Sequence, residues 1–301
     1  MFNNILIIGC GLIGSSILRA IKKKKISKKV VVYDKSKEVT SFIKEKNLTN
    51  NIASDLKLAA KEAELIIIAS PLSSYKEILL SIKDNINKNS ILTDTGSAKK
   101  EINKIIEGMN LKDISWIASH PIAGTEESGP KNGFAELFDS RWCIISPSKD
   151  ADKKHVDKIQ KFWEIIGSKV KLMSFEDHDH ILSVTSHLPH AVAYNIVRTA
   201  INKEDKFRQD IIQYSAGGLR DFTRIAASDP IMWRDIFIDN SANILQVLDD
   251  FTKNLNEMRT AIKDKDGDKL IKIFSDTKNV RKEIIEAGQD TSSPNFGRKK
   301  N

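Results

Sequence analysis

The chain has 301 residues, is 40% hydrophobic and 29% charged, and carries a formal net charge of +8, a globular composition with length for two domains and ample core. Its longest apolar runs, such as Leu65 to Ala69, are far too short to cross a bilayer, and Met1-Phe2-Asn3-Asn4 lacks the basic start of a secretory signal, so a cytoplasmic protein with no membrane partner is expected. Two cysteines, Cys10 and Cys143, speak against a disulfide framework, and lysines scattered along helix-like faces with few aromatics favour anionic small ligands over nucleic acid.

In chain order, the first signal is Ile5-Leu6-Ile7-Ile8 followed by Gly9-Cys10-Gly11-Leu12-Ile13-Gly14. The apolar run reads as a buried strand. Gly9 then permits a tight turn, Gly11 lets a pyrophosphate approach the backbone, and Gly14 lets the next helix pack closely on the strand. That helix presents its amino end, with Leu12 and Ile13, to the phosphates. Val30 to Tyr33 forms the second strand, and Asp34 follows it twenty residues after Gly14. There it can accept hydrogen bonds from the adenosine ribose and repel a 2′-phosphate, which favours NAD over NADP. The alternative is a capping aspartate before Ser36 and Glu38. Lys35 next to it would soften the discrimination.

Leu65 to Ala69 and Ile91 to Thr93 read as further strands, so Ser70-Pro71 and Asp94-Thr95-Gly96-Ser97 fall on the edge where doubly wound sheets bind ligand. Ser97 either contacts substrate or caps the helix running through Lys100-Glu101-Ile102. Ile114 to Ala118 is the next strand, and it delivers His120 in Ser119-His120-Pro121. An imidazole at the carboxyl end of a strand, beside a nicotinamide, is placed to take a proton as hydride leaves. Its alternative is a buried structural histidine before a turn proline. The loop Thr125 to Gly133 carries glycines that would let it close over a pocket. Trp142 to Ile145 and Val170 to Met173 complete the strand signal.

After Ser174 the pattern turns helical, over Phe175 to Ala200, Arg208 to Ala216, Pro230 to Leu255 and Asn256 to Ala287. Ser174 with Asp177 resembles a capping box, and Asp229-Pro230 is an N-cap followed by proline at the first helical position. The expected organisation is a dinucleotide-binding domain over 1–173, a helical substrate domain over 174–289 and a flexible tail over 290–301. The fold class is a Rossmann-type doubly wound α/β sheet followed by an all-helical domain. His178, His180, His187 and His190 make a metal site conceivable, but no cysteine or closing ligand pattern accompanies them, so no metal is expected.

His120, Ser97, the segment Ser186-His187-Leu188-Pro189-His190, the segment Gly217-Gly218-Leu219-Arg220-Asp221-Phe222-Thr223-Arg224-Ile225-Ala226 and Asp229-Pro230-Ile231-Met232-Trp233 stand in one order. With these motifs the chain, from about Ile5 to about Ala287, resembles the prephenate/arogenate dehydrogenase family of tyrosine biosynthesis. The resemblance implies oxidative decarboxylation of prephenate to 4-hydroxyphenylpyruvate with NAD⁺ reduction, or alternatively an arogenate or dual-substrate cyclohexadienyl dehydrogenase. It implies His120 as base, with Ser97 bonded to the substrate hydroxyl and to the imidazole. It also implies substrate binding by Arg224, His190, Glu126, Gly217 and Trp233, with Glu126 gating the pocket. A homodimer through the helical half, an active site in the cleft between the halves, and a bare catalytic unit without mutase or regulatory segments are further expectations. Arg224 suits the ring carboxylate as a bidentate partner, and Arg220 with Asp221 reads as a supporting ion pair. Neutral Asn132 tilts the reading toward prephenate. A β-hydroxyacid-type dehydrogenase usually places a lysine early in its helical domain, and Phe175 to Ala200 contains none. A regulatory protein without catalysis is opposed by His120, Ser97 and Arg224 standing together.

Overall fold

A computed structural model describes residues 1–109, 111, 114–201 and 205–286. Its strands are β1 (Phe2–Ile8), β2 (Ser27–Tyr33), β3 (Leu65–Ile68), β4 (Ile91–Asp94), β5 (Ser115–Pro121), β6 (Trp142–Pro147) and β7 (Lys169–Leu172). They form one sheet in the order β2-β1-β3-β4-β5-β6-β7. All neighbours run parallel except β5 and β6, which pair antiparallel with His120 opposite Ile144. Each strand expected from its β-branched run is present.

The helices α1 (Leu12–Lys24), α2 (Lys37–Glu45), α3 (Leu56–Glu62), α4 (Tyr75–Ile82), α5 (Lys100–Gly108) and α6 (Lys153–Ile165) connect these strands. Burial explains why β1 is apolar at every position from Ile5 to Ile8. Ile5 and Ile7 join a cluster with Ile17, Phe162 and Trp163 on one face. Leu6 and Ile8 join another with Ile78, Ile102 and Trp116 on the opposite face. A sheet covered on both sides selects continuous rather than alternating hydrophobicity. Chain order reverses beside β1, which has β2 on one side and β3 on the other. A crevice therefore opens at the carboxyl ends of β1 and β3.

Beyond β7 the chain is helical: α7 (Phe175–Leu182), α8 (Leu188–Ile201), α9 (Asp205–Gln213), α10 (Gly217–Thr223), α11 (Pro230–Asp239), α12 (Ser241–Lys263) and α13 (Gly267–Glu286). Both expected caps are made. The Ser174 hydroxyl accepts from the Asp177 N–H at 3.0 Å, and the Asp229 carboxylate accepts from the N–H groups of Ile231 and Met232 at 2.9 Å.

The boundaries inside this half differ from those the periodicity suggests. One π-helical turn, Ser183–His187, separates α7 from α8. The helix expected from Pro230 to Leu255 breaks at Asn240, which has φ −108° and ψ 25° and a buried side chain. The next reversal lies at Asp264 to Asp266 rather than at Leu255, closed by Lys265 at φ 54° and by the Asp266 N–H donating to the Ala261 carbonyl. The expected tail over 290–301, and the end of the last helix at Ala287, lie outside the described residues.

By packing, the chain separates into two units, Met1–Ile244 and Leu245–Asn301. The change from strand to helix falls earlier, between Leu172 and Phe175. In the second unit, the rest of α12 and α13 form a helical hairpin joined across its turn by Lys269 and Glu257 at 3.1 Å. Among the described residues, no helix is long and apolar enough to cross a membrane.

Candidate active site

The glycine turn between β1 and α1 is shaped for a dinucleotide's phosphates. Gly9 has φ +87°, and a Cβ there would sit 2.8 Å from the Ala69 carbonyl oxygen. At Gly14 a Cβ would come within 2.1 Å of the Gly9 carbonyl oxygen, so only glycine lets α1 approach β1 this closely. Around Gly11 the same Cβ meets nothing within 4 Å. That space faces the amino end of α1, which has no side-chain cap and no acidic residue in its first turn, including Leu12 and Ile13. Uncapped N–H groups and a helix dipole with adjacent open space suit a pyrophosphate.

Asp34 leaves β2 with its carboxylate fixed on both oxygens, accepting from the Cys10 N–H at 2.7 Å and the Ser36 N–H at 2.8 Å. The capping role weighed for Asp34 is performed by Ser36, whose hydroxyl accepts from Val39. Ser70 and Pro71 follow β3 across the crevice, and Ser70 is held through a hydroxyl contact with Ser74 at 2.8 Å.

Behind this edge lies a buried polar chain. His120 Nδ1 is 2.8 Å from His178 Nε2, and His178 Nδ1 is 2.7 Å from Asp179 Oδ1. Asp179 also accepts from the backbone N–H groups of Lys99 and Lys100, each at 2.9 Å. Burial pushes the Asp179 carboxyl upward, but hydrogen bonds from His178 and from those N–H groups bring it below its ordinary value. It is therefore ionised and only accepts. Burial holds His178 below its ordinary value, against the pull of Asp179. His120 is pushed down well below 6.5, chiefly by burial and then by His178, Lys99 and His187.

These charges dictate the tautomers. His178 donates Nδ1–H to Asp179 and keeps a lone pair on Nε2. His120 then donates Nδ1–H to His178, and its own Nε2 carries a lone pair. The result is an oriented neutral base. Asp94, at the end of β4, braces the same region: it accepts from buried Lys99 Nζ at 2.6 Å and from the N–H groups of Gly96 and Ser119.

Ser97 sits half-buried in the loop after β4. Among the described residues, the hydrogen bond of the His120 ring runs to His178 and none joins it to Ser97. The ring is thus oriented by His178, because Asp179 reaches both that histidine and the loop. Ser97 does not cap α5 either. The amino end of that helix is satisfied by Asp179, about eighty residues away in sequence.

Nearer the surface, His190 stacks on Trp233 with ring centroids 3.6 Å apart, and its Nδ1–H donates to the Ser186 carbonyl at 2.8 Å, which leaves the lone pair on Nε2. Burial lowers its pKa, and the Arg224 charge adds to this. Arg224 Nη1 donates to Glu126 Oε2 at 3.0 Å in a half-exposed pair. His187 is fully buried and accepts at Nδ1 from Asn240 Nδ2 at 3.1 Å. The same Asn240 amide donates to the Asp179 carbonyl at 2.7 Å.

The structure thus brings His190 to Trp233 and Arg224 to Glu126. Gly217 begins α10, and a Cβ there would meet only the Arg220 guanidinium of its own helix, at 3.7 Å. Arg220 and Asp221 do pair, at 3.2 Å. Asn132 turns into its own loop, donating to the Ser128 carbonyl and to Glu127. Sequence reasoning missed the functional placement of His178, Asp179 and Asn240. The adjacent His178-Asp179 pair was the available signal, but sequence reasoning weighs His178 only as a metal ligand, and no metal is expected. Both nitrogens of His178 are engaged by protein partners.

Comparison with known proteins agrees in both halves. The family profile described as prephenate dehydrogenase, nucleotide-binding domain, matches residues 17–172, and that described as prephenate dehydrogenase, dimerization domain, matches residues 174–276. The cyclohexadienyl dehydrogenase of Zymomonas mobilis is 40% identical over 281 residues, covering 93% of this chain and 96% of the relative. The prephenate dehydrogenase of Bacillus subtilis is 31% identical, covering 93% of this chain and 76% of the relative. Among solved structures, prephenate dehydrogenase from A. aeolicus in complex with hydroxyphenyl propionate and NAD⁺ superposes with a TM-score of 0.87 at 32% identity, covering 94% of this chain and 99% of that one.

The neutral histidines give a pH signature. His120, His178 and His187 titrate below 6.5 in the folded chain, His187 at about 4, because burial disfavours the cation. Below pH 6.5 the unfolded chain binds protons that the folded chain refuses, so stability falls with pH by about 1.4 kcal/mol per unit per histidine. Urea unfolding midpoints should therefore decline from about pH 7 to about pH 5. A flat profile would contradict their neutral burial.

Proposed function

Because the chain belongs to the prephenate dehydrogenase family, we propose that it is an NAD-dependent dehydrogenase that converts prephenate to 4-hydroxyphenylpyruvate and CO₂ in tyrosine biosynthesis. The observation that carries the reading is the lone pair on His120 Nε2, oriented by the chain through His178 to Asp179. Gly9, Gly11, Leu12, Ile13 and Gly14 would hold the pyrophosphate, Asp34 the adenosine ribose, and Ser70 and Pro71 the flank of the crevice. When bound, NAD⁺ supplies the hydride acceptor.

His120 Nε2 takes the proton of the ring hydroxyl as hydride leaves the same carbon, so a carbonyl replaces an unstable cation. The ring carboxylate then departs as CO₂, its electron pair enters the ring, and the carbonyl becomes a phenolate. His120 returns its proton to that oxygen. Ser97 is the hydroxyl donor we assign to the same atom. A base held neutral by burial is ready at the start of this cycle, and His178 with Asp179 stabilises the imidazolium formed midway.

At the mouth, Arg224 and His190 are the groups we assign to substrate carboxylate, with Trp233 holding the His190 ring and Gly217 leaving room beside them. Glu126 occupies Arg224 until substrate arrives. An exposed pair of this kind is worth about 0–1 kcal/mol, so a carboxylate can displace it. Prephenate is favoured over arogenate because neutral Asn132, which donates to the Ser128 carbonyl and to Glu127 within its own loop, supplies no carboxylate for an ammonium. The Zymomonas mobilis relative's name keeps the dual-substrate reading in view.

We also assign the helical hairpin to homodimer formation. Leu245, Leu255, Ile262, Ile271, Phe274, Val280 and Ile284 are each about half exposed or more, apolar side chains on both helices of the hairpin that a second copy would cover.

NADH formation from prephenate and from arogenate tests the first assignment. Prephenate should be the faster substrate with NAD⁺, and absence of turnover with either ends the reading. His120→Asn should lower kcat by about two to four powers of ten while NAD⁺ affinity holds. For the positioning residue, Asp179→Asn removes the anion that sets both tautomers. We expect kcat to fall by at least about tenfold with KM nearly unchanged, and nitrogen NMR of the imidazoles to show His178 no longer confined to Nδ1–H. An unaltered tautomer would remove Asp179 from this role. Light scattering at micromolar concentration should give twice the chain mass, reverting to one chain in Ile271→Glu/Phe274→Glu. A monomeric wild type would refute the dimer.

A further inference from the structure

A cavity of about 460 Å³ opens at the end of β2, walled by Tyr33, Lys35, Asp55, Lys57 and Glu77. Two of its wall residues, Tyr33 and Lys35, flank Asp34 in the chain, the acidic residue that follows the second strand, where a dinucleotide fold meets the 2′-position of the adenosine ribose. The residue after that aspartate is Lys35, a cation well placed for a 2′-phosphate. Its charge is already committed. Lys35 Nζ lies 3.0 Å and 3.1 Å from the two carboxylate oxygens of Glu77, in the first turn of α4.

We propose that Glu77 is a determinant of cofactor choice: by holding Lys35 it cancels the cation a 2′-phosphate would meet, and so reinforces Asp34 in selecting the cofactor with a free 2′-hydroxyl. The inference rests on the dinucleotide reading above and extends it to a residue outside the fingerprint. The charges around the cavity are evenly matched, Lys35 and Lys57 against Asp55 and Glu77. Asp55 is committed to the N–H groups of Lys57 and Leu58 as the cap of α3, whereas Glu77 is directed at Lys35. A 2′-phosphate carries close to two negative charges and would face Asp34 and Glu77 together. It could recruit Lys35 only by displacing a carboxylate from it. The free 2′-hydroxyl of NAD⁺ needs no cation there and is indifferent to the pair.

Glu77 is largely exposed, at 72%, so Glu77→Gln preserves its size and removes only the charge. Calorimetric titration of the full chain with NAD⁺ and with NADP⁺ reads the effect without any substrate. In Glu77→Gln, NADP⁺ should bind about three- to fivefold more tightly while NAD⁺ changes by less than about twofold. The gain should vanish in Glu77→Gln/Lys35→Gln. A gain that survives loss of Lys35, or an unchanged ratio of the two affinities, overturns the proposal alone. A wild-type chain that binds neither nucleotide overturns it together with the cofactor reading.

Discussion

The buried carboxylate of Asp179 is the constraint from which the site follows. One oxygen takes His178 Nδ1–H and the Lys99 N–H, and the other takes the Lys100 N–H. Its own backbone carbonyl receives Asn240. A single residue at the start of the helical half therefore fixes the loop after β4, the ring behind the base and the break between α11 and α12. Burying that charge is costly without such partners, and charge-assisted hydrogen bonds contribute about 1.5–3 kcal/mol each. Helix α5 benefits as well, since a carboxylate at its amino end both accepts its N–H groups and opposes its dipole.

From that anchor outward, the site grades from dry to wet, and the grading sorts the chemistry. His178 and Asp179 are inaccessible, His120 is 7% exposed, and Arg224 with Glu126 stands near the surface. Proton transfer needs a base kept neutral, which desolvation supplies. Carboxylate capture needs a cation that can exchange partners, which water supplies by weakening the Arg224–Glu126 pair. Reversing the two environments would leave a protonated base and a trapped arginine.

Much of the fold was legible because its signals are local. Apolar runs such as Ile5 to Ile8 and Leu65 to Ile68 carry their own strand signature, Gly9, Gly11 and Gly14 encode a turn within six residues, and Ser174 and Asp229 cap helices from adjacent positions. His120, too, was visible at the end of its strand. What stayed hidden depends on partners distant in sequence. Asn240 reads as an ordinary helical residue until its amide is seen to reach Asp179 and His187. The π turn over Ser183–His187 leaves the apolar periodicity almost undisturbed, and it ends on a buried His187. Ser97 was read as a cap or a substrate contact, and the capping position went instead to Asp179, which no local pattern could announce.

The four helical histidines show why spacing alone misleads. Positions 187 and 190 could share a helix face, with 178 and 180 upstream, but their environments separate them. His178 is committed on both nitrogens, and His187 is held by Asn240. His190 is turned by the Ser186 carbonyl and pressed onto Trp233, and it feels the charge of Arg224. A metal site requires lone pairs converging on one point, whereas His178, His187 and His190 are each turned by a different protein partner. In the proposed mechanism the same residue type thus serves first as base, then as orienter, then as a polar contact near the surface. What divides the roles is how much water each ring retains and which nitrogen its partner leaves available.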